Sequence, residues 1–354
     1  MFINKIMTKL YRIKKYLRII ADDDKSVGGH GKKLPMLMRL KYYSLGFSKK
    51  EIVYYNFPEN DYRNYISATE REKLEDVNGR FAYILGEKVM LERIWGDFIH
   101  VPKTYSLIMR GHFLDLYDQS DEVDLIALLK EKGRLIAKPT RSIGGGHGVI
   151  SLSYEDGNLY INREKYSEDD FLSKMRSKNN YMISDWIVPH EYARKVFPQT
   201  TNTIRIVTVM NHDTNKAEVL MAVQRFGTKE SFPVDNGCSG GVCCFVDIDT
   251  GILGYGHDMV HLGQKYKVHP DTGEALEGLQ IPDWESVKKK MTHVHNCFPY
   301  YEFLAWDVVI AENGEVYIIE INRGMDVHWL QVDKPLRHEK LGQYMKQKGM
   351  LRPW

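Results

Sequence analysis

The 354-residue sequence has only four cysteines and no stretch of apolar residues long enough to cross a membrane. A membrane-spanning helix needs about 20 consecutive apolar residues. The basic N-terminus also lacks the uninterrupted apolar segment of a secretory signal. Cys238, Cys243, Cys244 and Cys297 follow neither the spacing of metal ligands nor that of a disulfide framework. These absences predict a cytoplasmic protein with reduced thiols.

Several catalytic signatures are missing as well. The sequence shows no Ser-His or Cys-His arrangement, no Gly-Lys-Ser/Thr loop and no Gly-x-Gly-x-x-Gly segment. His257 and His261 have the spacing of a helical zinc pair, but the glycines around them argue against a helix. We therefore expect structural or solvated histidines, and no nucleic-acid partner.

Basic charge is concentrated at the N-terminus. Residues 1–50 carry 13 Lys or Arg against three Asp, although the whole chain has a formal net charge of only +2. Residues 1–20 predict an amphipathic helix, because Ile and Leu recur at alternating steps of three and four. Such a helix either lies on an anionic membrane surface, at the inner face of the membrane, or docks on its own protein. Both interpretations stay open. Residues 21–33 predict a linker.

The rest of the chain alternates between helix and strand patterns. Residues 34–80 predict a helical region, and further helices are predicted at 88–95, 122–131, 168–176, 284–297 and 334–348. Apolar runs predict strands at 135–137, 181–183, 204–210, 219–223, 242–248, 303–311 and 316–321. This content predicts an α+β fold with at least two lobes, since one core stops growing at about 250–300 residues.

One hairpin near the C-terminus carries a pair of acids. If Asn313 and Gly314 form a two-residue type I′ turn, Asp307 lies directly opposite Glu320, with Cβ atoms about 5 Å apart. Asn322 follows Glu320 by two residues and therefore leaves the strand on the same face. Opposed carboxylates repel, and a divalent cation with oxygen ligands removes the repulsion. The hairpin predicts a Mg²⁺ or Mn²⁺ site formed by Asp307, Glu320 and Asn322, the alternative being a shifted register with solvated acids.

A second segment is typical of phosphate binding. The predicted strand at 135–137 is followed by Lys138-Pro139 and then by Ser142-Ile-Gly144-Gly145-Gly146. Backbone N–H groups of a glycine-rich segment can surround phosphate oxygens, although a plain mobile loop has the same composition.

The order of these features resembles the ATP-grasp ligases. Lys88 stands where that family has its first lysine, Lys138-Pro139 precedes the glycine loop, and Glu320-Ile-Asn322 ends the series. Asn202-Thr-Ile-Arg205, Gly240-Gly241 and Asp249-Thr-Gly251 resemble one branch, the ATP-grasp proteins associated with sugar transfer in bacterial surface-polysaccharide synthesis. The resemblance covers roughly residues 80–340. The chain departs from the family pattern after Asn322, where Arg323-Gly-Met-Asp replaces a small, Pro/Gly-containing stretch, so substrate identity does not carry over.

The resemblance implies a fold, a domain organisation and a chemistry. It implies a helical region at 1–80 and an ATP-grasp domain at 81–354, with a glycine-loop lobe at about 105–190 and a metal-binding lobe at about 191–340. ATP would lie between two antiparallel sheets, and an acid substrate would attack its γ-phosphate to form an acyl phosphate that an amine or other nucleophile captures. Substrates would be small carboxylates with amines or sugars.

Roles for individual residues follow from the same resemblance. Lys88, Lys138 and the loop residues Ser142, Gly144, Gly145 and Gly146 would contact phosphates, and Arg205 with Lys138 would assist phosphoryl transfer. Asp185, Trp186 and Ile187 would face adenine, and Glu191 would bind ribose. Asp307, Glu320 and Asn322 would hold the metal. Two alternatives remain: a phosphotransferase that uses the same nucleotide site, and a non-catalytic ATP-binding scaffold of a glycan assembly machinery.

Overall fold

The computed structural model describes residues 14, 17, 34–117, 122–141, 146–260, 264–327, 329–332 and 334–354. The chain divides into two compact units: a helical unit, Met1–Gly79 with Gly324–Trp354, and a sheet unit, Arg80–Arg323. The division falls between Gly79 and Arg80, and residues 324–354 group with the helical unit. The predicted domains, 1–80 and 81–354, stay a prediction.

The helices and strands are numbered along the described chain. The α-helices are α1 (Met36–Ser44), α2 (Lys49–Tyr54), α3 (Ala68–Arg71), α4 (Ala82–Leu85), α5 (Lys88–Trp95), α6 (Leu125–Lys132), α7 (Glu168–Arg176), α8 (Glu191–Val196), α9 (Trp284–Asn296) and α10 (Lys340–Gln347). The strands are β1 (Thr104–Met109), β2 (His112–Asp115), β3 (Arg134–Pro139), β4 (Ile150–Glu155), β5 (Asn158–Ile161), β6 (Glu164–Tyr166), β7 (Tyr181–Asp185), β8 (Ile204–Asn211), β9 (Lys216–Phe226), β10 (Val242–Val246), β11 (Leu253–Asp258), β12 (Lys265–Tyr266), β13 (Phe303–Ile310) and β14 (Val316–Asn322).

The helical unit is built on short, well-capped helices. Ser48 and Ser67 each close a capping box, with Glu51 and Glu70 three residues later, and so satisfy the N–H groups that begin α2 and α3. Its core is aromatic and is formed by Tyr42, Phe47, Ile52, Tyr55, Phe57 and Tyr65. The predicted helix at 1–20 lies outside the described residues, except that Lys14 and Leu17 are helical.

The sheet unit contains two antiparallel sheets. Their strand orders are β2-β1-β7-β3-β4-β5-β6 and β12-β11-β10-β9-β8-β13-β14, with seven strands each among the described residues. Helix α7 begins and ends where predicted, because Ser167 caps its N-terminus and Phe171 and Met175 pack into the core of the first sheet. The predicted α+β class is therefore observed. The sequence left parallel and antiparallel pairing open, and every pairing of the two sheets is antiparallel.

The core of the second sheet positions the acidic hairpin. Trp95 from α5, Val287 and Met291 from α9, and Trp306 from β13 are all buried in one cluster. Every residue of β13 is buried, and this strand lies between β8 and β14. Among the described residues, no helix has the length and apolar content needed to cross a bilayer.

Candidate active site

Three adjacent strands bring the predicted acids and Arg205 into one row. Asp307 on β13 pairs with Glu320 on β14 on one side and with Arg205 on β8 on the other. The opposition of Asp307 and Glu320 that the sequence predicts is therefore observed. Directly paired residues of neighbouring strands project from the same face of a sheet, so two acids and one cation lie side by side.

The turn that produces this register differs from the predicted one. Ala311 N–H donates to Glu315 O at 2.8 Å, and Gly314 N–H donates to Ala311 O at 2.9 Å, so three residues form the loop. Only Gly314 of these three has positive φ, at 82°. The predicted two-residue turn is wrong, and a three-residue loop with Gly in the left-handed region replaces it.

A β-bulge restores the register that the longer loop would displace. Val308 pairs with Ile318, whereas Asp307 pairs with Glu320, so Ile319 is the additional residue. Ile319 and Glu320 both line the same cavity, and Ile318 packs in the hydrophobic core. The bulge therefore places two successive side chains, Ile319 and Glu320, on the site face, whereas strict alternation from Glu320 would have placed Ile318 there.

Two arginines hold Asp307. The Arg205 guanidinium donates to both Asp307 carboxylate oxygens, and Arg225 Nη2 lies 3.0 Å from Asp307 Oδ2. Asp307 is 4% exposed. Burial alone would raise the pKa of Asp307, but the charges of Arg205 and Arg225 outweigh it and lower the pKa. The cations that compensate this buried carboxylate are thus side chains of the chain itself.

Arg225 continues the network away from Asp307. Its Nε donates to Thr203 Oγ1 at 2.9 Å and lies 3.7 Å from Asp235 Oδ1. Burial lowers the pKa of Arg225, but Asp307 and Asp235 together raise it above its usual value. The result is a buried series of alternating charges, Arg205, Asp307, Arg225 and Asp235, along one wall of the cavity.

Two lysines approach Glu320. Lys88 begins α5, and its Nζ donates to Glu320 Oε1 at 3.2 Å. Lys138 lies near the end of β3, where burial lowers its pKa to about 8. The neighbouring charge of Lys88 adds to this lowering, and Glu320 opposes it. Neutralising Lys138 is therefore easier than for a solvated lysine, and an anion in the cavity would favour its charged form.

One cavity is lined by these groups, by described residues that flank the glycine-rich segment, and by the segment that follows β7. Its apolar lining residues include Pro102, Ile136, Ile187 and Ile319. Five cations line it: Lys88, Lys138, Arg141, Arg205 and Arg225. Four acids also line it: Asp185, Asp235, Asp307 and Glu320. A cavity lined by both apolar and cationic side chains suits a ligand with one aromatic and one polyanionic part.

Two polar side chains at the cavity are buried without a hydrogen-bond partner among the residues that the structure describes. They are those of Ser184, through Oγ, and Asn322, through Nδ2, and both residues line the cavity. Since the two polar ends of an Asn side chain exchange by rotation, Asn322 can present its oxygen at the same position. Glu320 and Asn322 thus offer two oxygen ligands side by side. Among the described residues, no group of three or more His, Cys, Asp or Glu has the arrangement of a metal site.

The remaining predicted residues divide into three sets. Asp185, Trp186, Ile187 and Gly146 line the cavity. Tyr105 Oη donates to Asp185 Oδ1 at 2.8 Å, so this carboxylate ties the end of β7 to β1. Glu191 is exposed at the start of α8, pairs with Lys195 and is not a cavity residue. Ser142, Gly144 and Gly145 lie outside the described residues.

Arg225 and Asp235 are the main residues whose roles the sequence does not reveal. The predicted strand at 219–223 ends before Arg225, but Arg225 lies within β9 beside apolar neighbours. Asn202, one of the most specific residues of the resemblance, is structural. Its Nδ2 donates to Ala193 O and Phe197 O, and its φ of 51° lets the chain turn sharply into β8. For the network of Arg225 and Asp235, the feature of the sequence that could have given an indication is a single arginine within an apolar strand.

Comparison with known proteins identifies the family. A sequence profile of the family described as sugar-transfer associated ATP-grasp matches residues 71–343. The chain therefore belongs to the sugar-transfer associated ATP-grasp family. The predicted family and the predicted ATP-grasp fold are confirmed. No curated protein sequence matches the chain significantly.

The chain also matches solved structures, at low identity and low TM-score. An ADP complex of N5-carboxyaminoimidazole ribonucleotide synthetase has a TM-score of 0.42 and 12% identity, over 74% of this chain and 51% of that one. L-amino acid ligase from Bacillus licheniformis has a TM-score of 0.36 and 9% identity, over 70% and 42%. The biotin carboxylase domain of a Hydrogenobacter thermophilus 2-oxoglutarate carboxylase has a TM-score of 0.41 and 12% identity, over 77% and 47%. The chain spans about half the length of these proteins, and family membership rests on the sequence match alone.

Proposed function

We propose that the protein is an ATP-dependent ligase that activates a carboxylate as an acyl phosphate and transfers the acyl group to an amine or another nucleophile. The observation that carries this proposal is the single cavity that contains Lys88, Lys138, Arg205, Glu320 and Asn322. Each of these groups suits the phosphate end of a nucleotide. Lys138 comes from the first sheet, Arg205, Glu320 and Asn322 come from the second, and Lys88 comes from α5. Family membership supports the same activity.

In this proposal the nucleotide base contacts the apolar lining residues of the cavity. Ile136, Ile187 and Ile319 cover an aromatic ring, and the unpartnered Ser184 hydroxyl supplies one specific hydrogen bond. The triphosphate then extends toward Lys88 and Lys138. A bound polyanion stabilises the charged form of Lys138, whose pKa is only about 8 in its absence.

The residues fit a magnesium ion, with one qualification to the predicted ligand set. Glu320 and Asn322 offer oxygen ligands, and Mg²⁺ in nucleotide sites uses one or two carboxylates together with phosphate oxygens and water. Both Asp307 oxygens already accept hydrogen bonds from guanidinium groups. We propose Glu320 and Asn322 as the principal ligands, with Asp307 able to join only if an arginine moves. The bound ion would neutralise charge on the transferred phosphoryl group.

The chemistry requires no protein nucleophile. An oxygen of the substrate carboxylate attacks the γ-phosphorus, the bond to the bridging oxygen breaks, and ADP leaves. The nitrogen of the second substrate then attacks the acyl carbon, inorganic phosphate leaves, and the nitrogen releases a proton to solvent. Arg205, 17% exposed at its side chain and facing the cavity, stabilises the negative charge that develops on the transferred group. The family description leads us to place the substrates in sugar transfer, as a sugar-linked acid or amine.

Product analysis tests the proposal. The purified chain is incubated with MgATP and a panel of acids and amines, with detection of ADP, AMP and coupled products. ADP together with a new amide supports the ligase. A phosphorylated acceptor that accumulates as final product indicates a phosphotransferase instead. Absence of turnover with tight ATP binding would favour a scaffold.

Glu320→Gln tests the metal ligand. Because it removes one carboxylate and the partner of Lys88, we expect loss of turnover and of Mg²⁺-dependent ATP binding, with an unchanged unfolding midpoint. Glu312→Gln is the matched control, since Glu312 lies in the loop of the same hairpin and its side chain is 58% exposed. Equal Mg²⁺-dependent ATP affinity in Glu320→Gln and the wild type would refute the assignment of Glu320.

A further inference from the structure

Helix α1 has apolar side chains on two opposite faces. Tyr42 is buried in the aromatic core of the helical unit, and Met38 packs against that core. On the other face Met36, Leu37 and Leu40 are 75%, 82% and 54% exposed. A surface helix of a globular protein normally carries one apolar stripe and a polar outer face. The outer face of α1 is therefore more apolar than folding of the helical unit requires.

The charged residues of α1 have one sign. Helix α1 contains Arg39 and Lys41 and no acidic residue, and residues 1–50 carry 13 Lys or Arg against three Asp. Lys41 Nζ lies 5.2 Å from the centre of the Tyr42 ring, so its stem follows the helix surface while its charge stays at the boundary with solvent. Exposed leucines with basic neighbours are the composition of a helix that binds at a lipid–water interface.

The aromatic side chains of Tyr62 and Trp354 lie near the C-terminal end of α1. Lys41 also lies 5.7 Å from the Tyr62 ring, and Tyr62 contacts the ring of Trp354. Arg352 Nη1 donates to Ser44 O at 2.9 Å, which fixes the C-terminal residues against the end of α1. Trp354 is 44% exposed, and partly exposed tryptophan is favoured at membrane interfaces.

We propose that α1 docks the protein on an anionic lipid surface, with Met36, Leu37 and Leu40 entering the interface and Arg39 and Lys41 facing the lipid phosphates. The competing occupant is the segment of residues 1–20, for which the sequence predicts an apolar stripe. Leu17 belongs to that predicted stripe and is helical, yet it is 63% exposed. The exposure of Leu17 favours lipid over this segment as the occupant of the α1 surface.

Vesicle binding of the full-length chain tests the proposal. We expect co-sedimentation with vesicles of phosphatidylcholine and phosphatidylglycerol, weaker binding to phosphatidylcholine alone, and release by high salt, because salt screens the basic segment. Leu37→Glu/Leu40→Glu should lower the affinity for the mixed vesicles by at least about tenfold. The double substitution removes two leucines that the lipid interface would bury, and it places negative charge against the anionic surface. ATP affinity should not change, as neither residue lies in the cavity.

Tyr83→Glu/Val268→Glu is the matched control. Tyr83 and Val268 are 69% and 48% exposed in the sheet unit, so this variant has the same change in net charge at other apolar surface positions. Its vesicle affinity should stay within about twofold of wild type. Three results would overturn the proposal: no vesicle binding by the wild-type chain, equal losses in both double variants, or sedimentation velocity showing a dimer that only Leu37→Glu/Leu40→Glu dissociates.

Discussion

Replacing Arg225 by methionine should destabilise the sheet unit more than any exposed arginine replacement does. Arg225 is 9% exposed and contacts Asp307 at 3.0 Å and Thr203 Oγ1 at 2.9 Å, with Asp235 at 3.7 Å. Removing one partner from a buried ion pair costs about 3–5 kcal/mol, because the other charge stays buried and uncompensated. Asp307 keeps Arg205, so we expect the lower end of that range, about 3 kcal/mol.

The pH dependence separates this cause from lost packing. In the wild type Arg205 and Arg225 lower the pKa of Asp307, so its stabilising contribution is present at neutral pH and is lost only as pH falls below the usual Asp range. Without Arg225 the pKa of Asp307 rises, because one of the two charges that lower it is removed. The variant then takes up protons in its folded state, and its stability deficit should shrink as pH falls from about 7 to about 4.

Urea unfolding followed by circular dichroism measures both effects. Arg194→Met is the matched control, because Arg194 pairs with Glu312 in the same unit with both side chains at least 40% exposed. We expect little change in its unfolding midpoint. A deficit of Arg225→Met that equals the control, or one that is the same at both ends of the pH range, would refute the charge network.

Two further predictions concern pH. Because the pKa of Lys138 is about 8, its charge is lost as pH rises through that value, and the MgATP affinity measured by calorimetry should weaken between about pH 7 and 9. The MgATP affinity of Lys138→Arg should not change over this pH range. A wild-type affinity that is equally independent of pH would contradict this role of Lys138. Burial lowers the pKa of His295, held between Thr208 Oγ1 and Tyr301 O, to about 4. In the unfolded chain this histidine is protonated near pH 6.5, so the free energy of unfolding should fall by up to about 3 kcal/mol between about pH 6.5 and 4. If the unfolding free energies of the wild type and His295→Gln changed in parallel with pH, His295 would be excluded as the cause.

The prediction that Asp307 faces Glu320 is correct although two of its steps are not. The hairpin loop has three residues instead of two, and the bulge at Ile319 compensates for the additional one. Asn-Gly is compatible with both loops, because each needs a residue with positive φ at Gly314. A bulge depends on packing against the neighbouring strand and the core, for which the local sequence carries no distinct signal.

The sequence alone determined the features that depend on nearby residues: the period of the strands, the capped start of α7, the proximity of Asp307 and Glu320 on one hairpin, and the family. Strand order decided the rest. Arg225 reaches Asp307 because β9, β8 and β13 are neighbours, and Glu191 faces solvent because α8 begins on the outside of the sheet unit. The charge that balances a buried carboxylate comes from residues 82 and 102 positions away along the chain (Arg225 and Arg205, respectively). Such a pairing is set by long-range packing, and a sequence pattern read a few residues at a time does not contain it.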